Sequence, residues 1–260
     1  KQEIVNILLK YLGTSIEPFY YQLVKRIKRV SIPSFITRIE DMSFYQCNLL
    51  TEIKIPSSVT YIGKYSFCGC KNIVQIEIPS SVTEIGKYIF SKCTKLKNIQ
   101  LSSSLTKIPI AAFDNCSSLI TLNIPPSVVD IDEYAFCSCS KLKSLVIPPS
   151  VKNIGDYAFC LCQSLSFVDI PSSITKINNY LFRGCISLEN ISIPSSVIEI
   201  GKYAFDGCKS LCEISDLSNV KKIGKFAFSG CESLEKIIIN KSIENIEMLD
   251  LHDEIEIIIV

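Results

Sequence analysis

Tryptophan is absent, methionine occurs only as Met42 and Met248, and histidine occurs only as His252. A Ser-His-Asp or Cys-His mechanism, or a histidine-rich metal site, would have to be assembled around that one residue close to the end of the chain, and both are set aside. There is no run of about 18 apolar residues, so the sequence contains no segment for direct membrane insertion. Excess charge is missing as well: 27 Lys+Arg face 26 Asp+Glu, a formal net charge of +1. Without a broad basic surface there is nothing to displace counterions from phosphate, and the cluster Lys25, Arg26, Lys28 and Arg29 is too short to do so alone. No nucleic-acid or anionic-membrane partner is expected. What is plentiful is apolar mass, 47% of 260 residues, enough for a large core.

The cysteines reveal how that mass is organised. Nine of the 13, from Cys47 through Cys70 and Cys139 to Cys231, are spaced 23 residues apart. A phenylalanine precedes each by three residues, from Phe44 to Phe228, and an isoleucine column from Ile39 to Ile223 keeps the same step. The unit reads L-x-x-I-x-I-P-S-S-V-T-x-I-G-K-Y-A-F-x-G-C-x-x, as in Leu142 to Ser164. A unit this short buries its apolar side only against its neighbours, so stacking is obligatory. In L-x-x-I-x-I the last two apolar residues share one face of a strand, and the following Pro ends it. Each coil is therefore expected to add one short parallel strand, giving an elongated, curved solenoid roughly 45–50 Å long at ~4.8 Å per coil. The column Arg38, Tyr61, Glu84, Lys107, Asp130, Asn153, Lys176, Glu199, Lys222 places no like charges next to one another, as in-register stacking requires.

Together the 23-residue spacing, I-P-x-S-V, A-F and the terminal Cys resemble the BspA-like class of leucine-rich repeats of bacterial and protist surface proteins, over residues 27 to about 247. That resemblance implies a mainly β leucine-rich-repeat solenoid without enzymatic activity, its parallel sheet of about ten short strands on the concave side and an irregular convex side. For some members it also implies attachment to host or matrix proteins. The expected organisation is an N-terminal helical cap over 1–26, where Ile4, Val5, Leu8, Leu9 and Leu12 recur at helical spacing, a solenoid over 27–246 with nine full units and a partial tenth, and a C-terminal cap strand in 247–260. The terminal strand Glu254–Val260 either closes that end or leaves a sticky edge. Local kinks are expected in unit four, with Ser102 for Pro and Pro109 for Gly, and in unit nine, with Asp216 for Ile and Leu217 for Pro.

Several chemistries were weighed against structural readings. Cys137, Cys139, Cys160 and Cys162 contain enough thiols for zinc, yet Cys139 and Cys162 belong to the ladder and are expected to point inward, with thiols touching turn backbone. Cys137 and Cys160 share a position that reads as solvent-facing, and adjacent coils would bring them near disulfide separation in an oxidising compartment. Glu77 and Asp169, four coils or roughly 19 Å apart, do not make a glycosidase pair. The interrupted Thr column (Thr37, Thr60, Thr83, Thr106, Thr175) argues against an ice-binding face. The Tyr column (Tyr65, Tyr88, Tyr134, Tyr157, Tyr180, Tyr203) is read as half-buried packing rather than a ligand platform.

Recognition is left to the concave strand face, where the x positions of L-x-x-I-x-I point outward. There Phe167 interrupts the polar column Glu52, Gln75, Asn98, Thr121, Ser144, Asn190, with Val146 diagonal to it and Asp169 on its own strand. An aromatic anchor with a polar surround has the composition of a protein-binding hot spot. The expected site is Thr121, Asn123, Ser144, Val146, Phe167 and Asp169, binding a protein with no cofactor and no metal. A cell-surface or secreted adhesion or host-interaction protein is the first expectation. An intracellular, cytoplasmic scaffold or regulatory-subunit-type interaction protein is the alternative.

Overall fold

The computed structural model describes residues 14–16, 26–243, 246–252 and 254–260. In chain order the strands are β1 (Ser15–Ile16), β2 (Arg29–Ser31), β3 (Arg38–Ile39), β4 (Glu52–Lys54), β5 (Tyr61–Ile62), β6 (Gln75–Glu77), β7 (Glu84–Ile85), β8 (Asn98–Gln100), β9 (Lys107–Ile108) and β10 (Asp130–Ile131). They continue as β11 (Ser144–Val146), β12 (Asn153–Ile154), β13 (Phe167–Asp169), β14 (Lys176–Ile177), β15 (Asn190–Ile191), β16 (Glu199–Ile200), β17 (Glu213–Ile214), β18 (Lys222–Ile223), β19 (Lys236–Ile239) and β20 (Glu256–Ile259). The expectation of one strand per coil is corrected to two. The L-x-x-I-x-I segment forms one, and the x-I pair after S-S-V-T forms another, which pairs with its equivalents in adjacent coils.

Pairing among the described strands is parallel and, before the last pair, steps by 23 residues, as in Ser144↔Phe167 and Lys176↔Glu199↔Lys222. The charge column is thus in register: Glu199 sits 3.3 Å from Lys176 and 3.2 Å from Lys222, Asn153 Nδ2 donates to Asp130 at 2.7 Å, and the Arg38 guanidinium lies 4.1 Å over the Tyr61 ring.

Between the two strand columns lies the core, whose spine is the Phe column. The rings from Phe44 to Phe228 stack with neighbouring centroids 5.2 to 5.7 Å apart, and all are buried. The side opposite the strands is built of turns, and the turns repeat. Each coil carries two left-handed residues, one at the Tyr position (Tyr157, φ 59) and one just before the Cys (Leu161, φ 59; Gly184, φ 70). A left-handed backbone favours glycine, which is why x-G-C recurs in the unit. Amides on this side reach into the next coil, as Tyr157 N–H to Asn179 O (3.1 Å) and Phe159 N–H to Leu181 O (3.1 Å).

The departures from the unit have definite consequences. In the second strand column the residue after the Ile donates its amide to the preceding coil, as Gly155 N–H to Ile131 O at 2.7 Å. Pro109 has no amide to give, and the ladder breaks between β7 and β9. It breaks again between β12 and β14, where Asn178 replaces Gly and its side-chain amide, rather than its backbone, donates to Ile154 O. Ser102, in the place of Pro, is buried and donates to Val82 O at 2.6 Å, the role that Ser81 fills toward Val59 O one coil earlier. In unit nine Asp216 is exposed, Leu217 fills the core position instead, and a bridge to Ile239 records the one-residue slip.

The helical cap expected over 1–26 lies, in its Ile4 to Leu12 stretch, outside the described residues. Within that span, however, β1 is a strand paired with β3, so coil geometry begins before residue 27. At the other end β20 does close the stack, pairing with β19 at a 20-residue step, Lys236↔Glu256. Ile257, Ile259 and Val260 remain exposed there. His252 serves this closure, its Nε2 lying 2.7 Å from Leu234 O.

Candidate functional site

The first strand column presents a face in which buried and exposed residues alternate. β11 and β13 each hold a buried centre, Leu145 and Val168, between two exposed flanks. Their register sets Phe167 opposite Ser144 and Asp169 opposite Val146, which makes Phe167 and Val146 diagonal neighbours. Val146 is 62% exposed, the highest value for a large hydrophobic among the described residues, and Phe167 is 53% exposed. Four of the six expected site residues, Ser144, Val146, Phe167 and Asp169, therefore share one two-stranded patch. Thr121 and Asn123 are exposed around the buried Leu122 in the preceding coil, but their segment forms no strand.

The same face carries a feature that no apolar outlier marks. Across β4, β6 and β8 it dips into a depression of about 380 Å³ lined by Ile53, Ile76 and Ile99 and by the polar residues that flank each of them. Its only signal in the sequence is the uniform polarity of those two columns. A second groove, of about 460 Å³, lies at the ladder break beside Pro109, where Lys107 pairs with Asp132 at 3.0 Å.

The cysteine ladder is structural. Each Sγ from Cys70 to Cys231 donates to the carbonyl of the Phe 26 residues earlier, for example Cys162 to Phe136 O at 3.2 Å. Burial raises these thiols above their ordinary value of 9.0, Cys231 to about 12. Zinc chemistry has no convergent set to work with, because Cys139 and Cys162 are engaged with the core while Cys137 and Cys160 occupy a separate column. That column is not solvent-facing as expected: Cys137 and Cys160 are both buried, while Leu161 next to Cys160 is exposed. No two of the 13 cysteines are bonded to each other, and Cys212 is the exposed one. The tyrosines stack on each other, Tyr134 to Tyr157 at 4.6 Å and Tyr157 to Tyr180 at 4.3 Å, so their ring faces are already occupied.

The model of the BspA type leucine rich repeat region matches residues 14–143 and 129–250 in 6 copies. The chain belongs to this family. Among solved structures, this BspA-type chain is similar to the T. pallidum leucine rich repeat protein TpLRR, at 29% identity and a TM-score of 0.52, covering 80% of this chain and 78% of that one. A leucine-rich repeat protein from Eubacterium ventriosum shares the fold at 20% identity and a TM-score of 0.54, with 86% and 82% covered. A leucine rich cell surface protein from Faecalibacterium prausnitzii is 26% identical with a TM-score of 0.46, covering 88% and 82%. No curated protein matches the sequence. Among the described residues of this BspA-type solenoid, no helix is long and apolar enough to cross a membrane.

Proposed function

We propose that the chain is a non-catalytic protein-binding module, engaging a partner through the strand face around Val146 and Phe167. The observation that carries this reading is the pair of large apolar side chains held more than half exposed on adjacent, rigid strands. Exposed anchors of this kind gain affinity when a partner desolvates them, and Thr121, Asn123, Ser144 and Asp169 supply the polar rim. The polar depression at β4, β6 and β8 extends the same face toward the N-terminal coils. A cell-surface or secreted adhesion role is the setting we infer, on the strength of the family. The sealed ladder thiols, 0 to 3% exposed, are no obstacle to it, since thiols that neither ionise nor meet solvent do not react in an oxidising medium. The intracellular scaffold draws its support from the number of cysteines, 13 in 260 residues, which suits a reducing compartment.

The test is a photo-crosslinking residue placed at position 144, exposed separately to extracellular-matrix proteins and to cytosolic extract. A protein captured from the matrix set supports the surface reading, and one from the cytosol supports the scaffold. Binding of that protein is then measured to the Phe167→Ala/Val146→Ser double variant. A loss of tenfold or more is expected, about 1.4 kcal/mol or beyond. Unchanged affinity removes the assignment of this face.

A further inference from the structure

One column beside the cysteine ladder holds reactive groups that the binding face does not use. It occupies the position after each Phe and runs Cys68, Ser91, Asp114, Cys137, Cys160, Arg183, Asp206. Its members bond along the stack: Ser91 Oγ donates to Asp114 Oδ2 at 3.1 Å and Arg183 Nε to Asp206 Oδ2 at 2.8 Å. Cys137 and Cys160 are successive members, in adjacent coils. The backbone holds them in register on both sides, Phe136 N–H donating to Ala158 O at 2.8 Å and Ser138 N–H to Cys160 O at 2.7 Å. In-register neighbours lie ~4.8 Å apart, and a disulfide accepts Cα separations of about 4.4–6.8 Å.

Ladder cysteines have the same coil spacing but not the same geometry. Cys139 and Cys162 are fully buried, and each thiol is directed to a Phe carbonyl of the preceding coil. Cys137 and Cys160 retain 9% and 5% exposure, and among the described residues neither thiol is directed to a Phe carbonyl. The geometry points to Cys137 and Cys160 as a peroxide-reactive dithiol that closes into an inter-coil disulfide, Cys137 being the attacking sulfur and Cys160 the resolving one. The division of roles follows from what stands beside each sulfur: Ser138 Oγ lies 3.7 Å from Cys137 Sγ, whereas the residue after Cys160 is the apolar Leu161. A hydroxyl beside the sulfur favours the thiolate that nucleophilic attack needs. In the same direction, Cys160 and then Ser138 lower Cys137 against the opposing effect of burial, while Cys137 and then burial raise Cys160.

The chemistry balances with hydrogen peroxide as the oxidant. Cys137 thiolate attacks one peroxide oxygen, the O–O bond breaks, and a sulfenic acid forms with release of hydroxide, which takes up the proton Cys137 had lost and becomes water. Cys160 then gives up its proton, its sulfur displaces the sulfenic hydroxyl, and a second water leaves as the S–S bond forms. Two thiols lose two electrons in all, and one peroxide is reduced to two waters.

The experiment treats the full chain, purified under reductant and desalted, with hydrogen peroxide, and maps thiols by alkylation and peptide mass spectrometry. The expected result is a Cys137–Cys160 disulfide reversed by dithiothreitol, with the ladder thiols still reduced. Serine occupies this column at Ser91 and Ser229, so Cys137→Ser and Cys160→Ser are compatible with the fold. In Cys160→Ser, peroxide leaves a dimedone-reactive sulfenic acid on Cys137, and in Cys137→Ser neither disulfide nor label appears at Cys160. Persistence of both free thiols in the treated wild type, pairing with a ladder cysteine, or equal labelling in the two variants overturns the proposal.

Discussion

Cys162 shows what a ladder cysteine does for the fold. Its thiol fills a space with no room to spare and donates to Phe136 O, a carbonyl that also accepts the Cys139 amide at 3.2 Å. Cys162→Ala leaves that carbonyl one partner and opens a small void, so a loss of about 1–2 kcal/mol in urea unfolding is expected at neutral pH. Its protonation has a second consequence. Unfolded thiols ionise near 9.0, whereas burial keeps the folded ones protonated well above it. Below that value both states hold their protons and the thiols make stability independent of pH. Above it only the unfolded chain releases them, so unfolding free energy falls with rising pH, by about 1.4 kcal/mol per pH unit for each such thiol from Cys70 to Cys231. Urea midpoints are expected to stay level up to pH ~8.5 and drop steeply beyond, and Cys162→Ala should lower that alkaline slope by one thiol's share.

At the scale of the element, the second strand column is held in each coil by amides on either side of the x-I pair, as Lys152 N–H to Val129 O at 2.8 Å and Gly155 N–H to Ile131 O at 2.7 Å. At Pro109, which lacks the second of these, the ladder is interrupted and a groove opens beside it. Gly155→Pro should break the ladder between β10 and β12, because it deletes the bond to Ile131 O and sets a Cβ against the Glu133 backbone nitrogen. A cost of about 3 kcal/mol is expected, read from thermal or urea unfolding, with faster hydrogen exchange confined to the coils on either side. This strand column was the part of the fold hardest to read in advance. In the x-I pairs from Arg38–Ile39 to Glu199–Ile200 only the Ile is buried, so two-residue strands leave no alternation to detect, whereas L-x-x-I-x-I spans enough positions to show period two.

For the whole molecule, stacking makes stability a sum of coils and of contacts between neighbours. Phe136 and Phe159 have centroids 5.6 Å apart, while Phe136 and Phe205 are separated by three coils. Truncating any of these rings to Ala should cost about 3–5 kcal/mol. In double-mutant cycles the Phe136/Phe159 pair should couple by more than about 0.5 kcal/mol, and the Phe136/Phe205 pair should be additive within error. Equal coupling in both would mean that the solenoid transmits strain along its length and that its coils are not nearest-neighbour units.

A period that never slips over nine coils determines, without coordinates, that the chain stacks in parallel and in register, because only that arrangement covers every apolar column and alternates the charges from Arg38 to Lys222. The outward placement of Phe167 and Val146 follows from the same alternation. Tertiary structure decided what depends on how neighbouring coils meet. It drew a second strand from each coil, stopped the ladder at Pro109 and Asn178, and buried Cys137 and Cys160, which share a column with polar and charged residues. Sequence periodicity reports which residues are equivalent from coil to coil. How far each is covered, and which groups it bonds, depends on the turns and amides of adjacent coils.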